Sequence, residues 1–168
     1  MPPYEIGQRL ELQPWPGTYG PGVNDELSRL FQEGLTQHGA QYMTNTPVDP
    51  QPWTNWATEA FFEAVRRAEF EPRLSRMQAV FGFETEADAA TFIGAYRSGS
   101  PCAIYRVRGE IDHKANMSLL QLAGLSGITA FQLAHDYWRG EPGLRPVCWE
   151  LLLRPPVEFV ELVEPVVQ

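Results

Sequence analysis

The sequence is short of basic charge, and of lysine in particular. Lys114 is the one lysine among 168 residues, against twelve arginines and 21 acidic residues, and the formal net charge is −8 at pH 7. The arginines form no cluster larger than a close pair. Because a duplex nucleic acid binds dense positive charge, this distribution speaks against duplex DNA or RNA as a partner.

Cysteine is also scarce, and long apolar runs are missing. Cys102 and Cys148 lie in separate apolar stretches, so we expect buried free thiols and neither a disulfide framework nor a zinc knuckle. No stretch approaches the roughly 18 apolar residues that cross a bilayer, and the first residues lack a signal-peptide pattern. We therefore expect a cytoplasmic protein without a membrane anchor, although a delivery route that needs no signal peptide stays open.

The short motifs that mark common enzyme classes are absent as well. The chain contains no G-x-G-x-x-G, Walker, H-E-x-x-H, G-x-S-x-G or EF-hand pattern. Its histidines, His38, His113 and His135, are widely spaced and show no metal-ligand spacing. We therefore predict no bound metal.

What is present fits one α+β domain over residues 1–168. Apolar residues make up 43% and charged residues 20% of the chain, as is typical of a globular protein. Proline and glycine are concentrated in the first third, so we predict a loop-rich N-terminal part over about residues 13–55. Mixed or antiparallel sheets with several packed helices are expected around one core.

Apolar residues recur at helical spacing in several segments. The clearest helix is capped by Thr54 or Asn55 and ends near Ala68, with Glu59 and Glu63 on its polar face. Residues 37–55 before it are predicted to form an irregular loop. Further helices are predicted after Asn24, from Thr85 (with Ala87, Ala90, Phe92, Ile93 and Tyr96 facing inward), and over 117–123 and 129–138.

Strands are predicted where apolar and polar residues alternate or where short apolar runs occur. These segments are 4–12, 77–83, 102–108, 146–153 and 157–163. Pro155 and Pro156 separate the last two, which form either two strands or one sharply bent strand.

Glu150 is out of character with its surroundings. It lies inside the apolar run from Val147 to Leu153, where a charge is costly unless it is paired or lies in a cleft. Two interpretations stay open. Glu150 is either a functional carboxylate or one solvated position on an edge strand.

The order of elements resembles that of the ADP-ribosyltransferase superfamily over most of residues 54–163. The matching segments are L-S-R-M-Q-A-V-F-G-F-E-T-E-A-D-A-A-T-F and P-V-C-W-E-L-L-L-R-P-P-V-E-F-V, with a Y-W-x-G turn at 137–140. The chain is closest to an uncharacterised bacterial domain family with that type of core. The resemblance implies a fold that binds NAD as a substrate and either transfers ADP-ribose to a macromolecule, such as a protein acceptor, or hydrolyses the dinucleotide.

The resemblance also implies roles for individual residues. Glu150 matches the late-strand glutamate that holds the nicotinamide-side ribose and stabilises oxocarbenium-like charge. Phe81 falls where a Tyr or Ser supports the nicotinamide, so an aromatic stack is expected there in place of a hydroxyl contact. Arg9 is the residue available to the adenine-side ribose.

Three residues before the second strand form a candidate pyrophosphate site. Arg73 and Arg76 flank Ser75, and the guanidinium fork matches phosphate oxygens. The alternative is that Arg76 ties the strand end to the acidic helix that carries Glu59 and Glu63.

The alternative function is a non-catalytic protein-binding module that uses an aromatic-rich surface. A cleft containing Glu150, Ser75 and an aromatic side chain would favour NAD chemistry. An exposed aromatic patch, with Glu150 paired to an arginine, would favour the binding module. The sequence therefore leaves open whether the chain is an enzyme.

Overall fold

The computed structural model describes residues 4–15, 19–44, 53–97 and 102–166. Over these residues helices and an antiparallel sheet build one α+β domain, which confirms the predicted class. The helices are α1 (Pro21–Leu30), α2 (Gln37–Met43), α3 (Trp53–Glu69), α4 (Glu86–Tyr96) and α5 (Gly127–Arg139). The strands are β1 (Arg9–Leu10), β2 (Val80–Gly82), β3 (Cys102–Asn116) and β4 (Trp149–Val166). No helix in these segments is long and apolar enough to cross a membrane.

The long strand β4 is the centre of the sheet. On one side it pairs with the whole of β3, and on the other side with β2 and then with β1. The segments 146–153 and 157–163 therefore contribute to a single strand that continues through Pro155 and Pro156. Arg154 and Glu158 of β4 lie opposite Glu110 and Arg108 of β3, and the register shifts between these two pairs. The two prolines lie within this irregular stretch, so their missing N–H groups remove few hydrogen bonds between the strands.

β1 and β2 are both shorter than predicted. Residues 77 and 78 belong instead to a 3₁₀ turn (Arg76–Gln78). Ser75 begins this turn, because its hydroxyl accepts a hydrogen bond from the Met77 N–H at 3.1 Å. The turn fixes the direction in which Arg76 leaves the backbone.

Helix α2 replaces part of the predicted loop over 37–55. Thr36 caps it by accepting a hydrogen bond from the Gly39 N–H at 3.4 Å. At Gly39 the helix lies so close to the 3₁₀ turn that an added Cβ would be 2.1 Å from the Met77 carbonyl oxygen. Tertiary packing of this kind stabilises short helices that local sequence does not predict.

The predicted starts of two other helices are also corrected. α3 begins at Trp53, so Thr54 and Asn55 lie inside it, and residues 45–52 of the predicted loop lie outside the described residues. α1 begins at Pro21, since proline is suited to the first helical position. Asn24 therefore lies within α1, and its side chain donates to the Tyr19 carbonyl at 2.8 Å.

Two apolar clusters hold the elements together. One lies between α3, α5 and the sheet, and its largest fully buried members are Phe62, Leu119, Tyr137, Trp138 and Leu152. The other joins α1 to the 3₁₀ turn through Leu27, Phe31, Leu35 and Met77.

Helix α4 contributes no buried residue to either cluster. The sequence predicts that Ala87, Ala90 and Tyr96 face inward, but all three are exposed, while Phe92 and Ile93 are half-buried. The reason is that α4 lies over an open cleft rather than against a packed core.

Cys102 and Cys148 are free thiols, and both are half-buried rather than buried. Cys102 is the first residue of β3 and Cys148 directly precedes β4. Both thus lie at strand ends, where neighbouring elements cover less of the side chain.

Candidate functional site

A large cleft opens between α4 and the sheet. Its volume is about 1430 Å³, which exceeds the roughly 300–1,000 Å³ usual for small-molecule sites. β1 and the segment after it, the start of α2, β2, α4 and the first part of β3 form its walls. The aromatic side chains along these walls include Trp15, His38, Phe81, Phe83, Phe92 and Tyr105.

Charged residues lie on several walls of this cleft. Arg9 is exposed on the β1 wall, and Arg97 lies at the end of α4. Arg106 on β3 pairs with Glu86 of α4 at 3.1 Å and with Glu161 of β4 at 2.5 Å. The cleft therefore combines flat apolar surfaces with charged groups of both signs, since Glu11, Glu84 and Glu86 also line it.

A buried charged cluster, made of Glu59, Arg76, Tyr137 and Glu150, lies behind the cleft. Arg76 donates two hydrogen bonds to Glu59, from Nε to Oε2 at 2.9 Å and from Nη2 to Oε1 at 3.0 Å. Its Nη1 donates to Glu150 Oε1 at 2.5 Å. Arg76 and Glu150 are each 4% exposed and Glu59 is 6% exposed, so one guanidinium holds two carboxylates away from water.

Tyr137 joins the cluster from α5. Its hydroxyl donates to Glu150 Oε1 at 2.7 Å and also contacts Arg76 Nη1. Burial raises the pKa of Tyr137 well above its usual value, and the charge of Glu150 adds to this effect against the opposing charge of Arg76. The phenol therefore stays protonated and acts as a donor.

The charges in the cluster stabilise one another. Burial alone would raise the pKa of Glu59, but the charge of Arg76 and the neighbouring His38 outweigh it and lower this pKa to about 2. Burial opposes the charge of Arg76, yet Glu150 and Glu59 together raise the pKa of the guanidinium well above its usual value. Both groups are consequently ionised at neutral pH.

The face of α3 that the sequence assigns to solvent is buried. Glu59 and Glu63 are 6% and 7% exposed. Glu63 accepts a hydrogen bond from the Ser75 hydroxyl at 2.8 Å and pairs with Arg66 at 2.9 Å. The interpretation in which Arg76 ties the strand end to this acidic helix is confirmed.

His38 and Phe81 separate the buried cluster from the cleft. The guanidinium carbon of Arg76 lies 4.6 Å from the centroid of the Phe81 ring. The His38 ring centroid is 4.6 Å from that of Phe81, and its Nε2 is 3.3 Å from Glu59 Oε1. This separation is an ion-pair distance, although the direction of the Nε2–H bond is not aligned for a hydrogen bond. His38 thus contacts both the cleft and the cluster.

The six residues that the sequence singles out lie in three places. Arg9 and Phe81 line the large cleft. Arg73 and Ser75 line a second cavity of about 400 Å³, together with Arg66, Arg67 and Arg154. Arg76 and Glu150 lie in the buried cluster and line neither cavity.

The structure gives Glu150 a different environment from either a cleft or an edge strand. β4 is paired on both sides at this point, with Ala115 of β3 opposite Glu150 and Gly82 of β2 opposite Leu151. The solvated edge position is therefore wrong. Glu150 is instead a buried carboxylate with two donors.

His38 is one of the cleft residues that sequence reasoning missed. It lies in the first turn of α2, within the segment predicted as a loop, so no helical periodicity singled it out. The one available signal was the helix cap at Thr36 directly before it. Among the described residues, no three His, Cys, Asp or Glu side chains converge on a metal position.

Most of the chain matches the model of a known protein family. A family model described as "Protein of unknown function (DUF2441)" matches residues 25–165, a range that includes every member of the buried cluster and excludes β1 with Arg9. No curated protein matches the chain. The chain belongs to the DUF2441 family.

Proposed function

We propose that the large cleft binds NAD and that the protein is an ADP-ribosyltransferase-like domain, which transfers ADP-ribose to a macromolecule or hydrolyses the dinucleotide. The observation that carries this proposal is the cleft itself, about 1430 Å³ in volume, with Phe81 and Arg9 on its walls. Both residues are ones to which the sequence resemblance gives a role in NAD binding.

The chemistry of the walls supports a ligand with flat rings and negative charge. Phe81 is half-buried, so part of its ring remains available to stack on a nicotinamide or adenine. Arg9 and Arg97 supply guanidinium groups on two of the walls, and such groups match phosphate oxygens. Arg106 lines a third wall, where it already pairs with Glu86 and Glu161 and would bind a phosphate as a member of that exposed network. A dinucleotide offers both features.

Glu150 does not meet the ligand in the described arrangement. Arg76 and Tyr137 hold it behind Phe81, where its main effect is to balance the charge of the guanidinium. The proposal therefore rests on Phe81, Arg9 and the cleft, and it does not require direct contact between NAD and Glu150.

A thermal-shift titration tests this proposal. NAD at millimolar concentration should raise the melting temperature, because a ligand that binds only the folded state stabilises it by about 2.7 kcal/mol at a hundredfold excess over Kd. Arg9→Ala should reduce the shift, whereas Arg29→Ala is a matched control, since Arg29 pairs with Glu26 on α1 and does not line the cleft. No shift with NAD, nicotinamide or ADP-ribose would contradict the proposal.

A non-catalytic protein-binding module is the second candidate function. Two observations favour it, namely the pairing of Glu150 with Arg76 and the large apolar side chains exposed on α3 and α5. Trp56 is 42%, Phe131 45% and Ile128 79% exposed. A protein partner that binds the wild type but not Phe131→Glu, in a protein that shows no response to NAD, would support this candidate over the first.

A further inference from the structure

We propose that His38 is the proton acceptor for hydrolysis of NAD in the large cleft. This inference rests on the proposed function and adds to it a residue that the resemblance does not assign. Its basis is the position of His38 between the cleft and a buried carboxylate.

The two edges of the His38 ring lie in different environments. The Nε2 edge is buried and lies 3.3 Å from Glu59 Oε1. The side chain is 23% exposed and lines the cleft, and with Nε2 buried Nδ1 is the ring nitrogen left for a bound ligand or water. A general base needs one ring nitrogen free to take a proton and benefits from a carboxylate close to the other, and the 3.3 Å ion-pair distance to Glu59 supplies the second feature.

The ring is also held in place by its neighbours. Its centroid is 4.8 Å from that of Tyr42 on the same helix and 4.6 Å from that of Phe81 on β2. Glu59 is fixed in turn by the two hydrogen bonds from Arg76. A base that is already positioned loses little entropy when the substrate binds.

Glu59 is suited to stabilise the protonated imidazole. Its pKa is lowered to about 2, against burial, by Arg76 and His38, so it carries a negative charge throughout the neutral range. Among the described residues, the charged groups near His38 include the Glu59 carboxylate beside it and the Arg76 guanidinium behind Phe81. Arg97 also lines the cleft, and its charge acts on the neutral Tyr42 phenol of the same helix. The Glu59 carboxylate is in direct contact with the ring, at 3.3 Å from Nε2.

Hydrolysis exchanges the glycosidic bond of NAD for a bond to water. The bond between the nicotinamide nitrogen and C1′ of the ribose breaks, and its electron pair stays on that nitrogen, which gives neutral nicotinamide. A water oxygen forms a bond to C1′, and one water proton moves to His38 Nδ1. The products are nicotinamide and ADP-ribose, and the imidazolium returns its proton to solvent.

The matched variants for the test are His38→Gln and His135→Gln. Glutamine at position 38 can place an amide near Glu59 but cannot accept the proton. His135 pairs with Glu69 at 3.0 Å and is also 23% exposed, yet it does not line the cleft. Nicotinamide release and the NAD-induced thermal shift are measured for the wild type and both variants.

We expect His38→Gln to bind NAD as the wild type does and to release nicotinamide roughly 100-fold more slowly, the lower range of general-base contributions. His135→Gln should leave the rate unchanged. Added imidazole should restore part of the lost rate in His38→Gln, which a purely structural role for His38 would not allow.

Different results would contradict the proposed binding of NAD and the proposed role of His38. If NAD neither shifts the melting temperature nor yields nicotinamide, the proposed function is wrong and this inference falls with it. If NAD binds but the wild type releases no nicotinamide, or if His38→Gln releases it at the wild-type rate, the role of His38 alone is overturned.

Discussion

Arg76 and Arg106 each pair with two glutamates, but in opposite surroundings. The side chain of Arg76 is 5% exposed, and it holds Glu59 and Glu150 at 2.9 and 2.5 Å. The side chain of Arg106 is 59% exposed, and it holds Glu86 and Glu161 at 3.1 and 2.5 Å. The contact distances are nearly the same, so the two sites differ mainly in how deeply the arginine is buried.

Burial decides what these two arginines contribute. Around Arg106 water screens the charges, and such pairs contribute about 0–1 kcal/mol to stability. Around Arg76, removal of one partner leaves the other charge buried without water or a counter-ion. This lowers the free energy of unfolding by roughly 3–5 kcal/mol. A charged group in an apolar segment, such as Glu150, can therefore be structural without being catalytic.

The largest effect is expected for Arg76→Met. Methionine fills much of the volume but leaves Glu59 and Glu150 buried without their shared cation. We expect a loss of roughly 5 kcal/mol or more in the free energy of unfolding, at or above the upper end of the usual range. Chemical denaturation monitored by circular dichroism measures it. A loss of less than about 1 kcal/mol would show that burial does not distinguish Arg76 from Arg106.

Glu150→Gln should have a smaller effect, because Arg76 keeps Glu59 and Tyr137 can still donate to the amide oxygen. We expect a loss of about 3 kcal/mol, the lower end of the range for a broken buried pair. The same denaturation measurement gives this value, and nicotinamide release is followed in parallel. Loss of NAD turnover at unchanged stability would instead restore the direct catalytic role that the resemblance implies.

His113 is a buried titratable group that forms no ion pair with the residues that the structure describes. It is 5% exposed, its Nε2 donates to the Tyr137 carbonyl at 2.8 Å, and burial lowers its pKa below the usual value near 6.5. Below pH 6.5 the unfolded chain therefore binds a proton that the folded chain does not, so stability falls as the pH falls from 6.5 towards the lower folded value.

The measurement for His113 is the denaturation midpoint of the wild type and of His113→Gln between pH 7 and 5, a range that spans the unfolded value. The wild type should lose more stability over this range than the variant. Equal slopes for the two proteins would rule out a neutral buried imidazole at this position.

The smallest effect is expected for Arg106→Met, which is the matched partner of the first variant. The loss should be below about 1 kcal/mol, since exposed pairs are screened by water and salt. The same substitution should reduce the thermal shift with NAD, because Arg106 lines the cleft. A large loss of stability here would mean that the pairs with Glu86 and Glu161 are not screened as their exposure indicates.

Sequence reasoning located parts of the candidate site but not its geometry. Phe81 and Arg9 were singled out by the resemblance, and both line the cleft. Arg76 and Glu150 were singled out as well, yet they bind each other across 74 positions of the chain. Spacing cannot predict such a contact, because it depends on how the 3₁₀ turn and β4 pack against α3.

The sequence by itself determined the α+β class, the presence of the helix α3 and the extended character of the apolar segments near the C-terminal end, because periodicity and composition act over a few neighbouring residues. It also marked Glu150 as a group that needs a partner, a cleft or solvent, since a carboxylate in an apolar run is costly to bury alone. Only the tertiary structure decided that the partner is Arg76, that residues 37–43 form α2, and that α4 borders a cleft with His38 on its wall. These outcomes depend on packing between segments far apart in the chain, where burial, and not local propensity, sets the free energy.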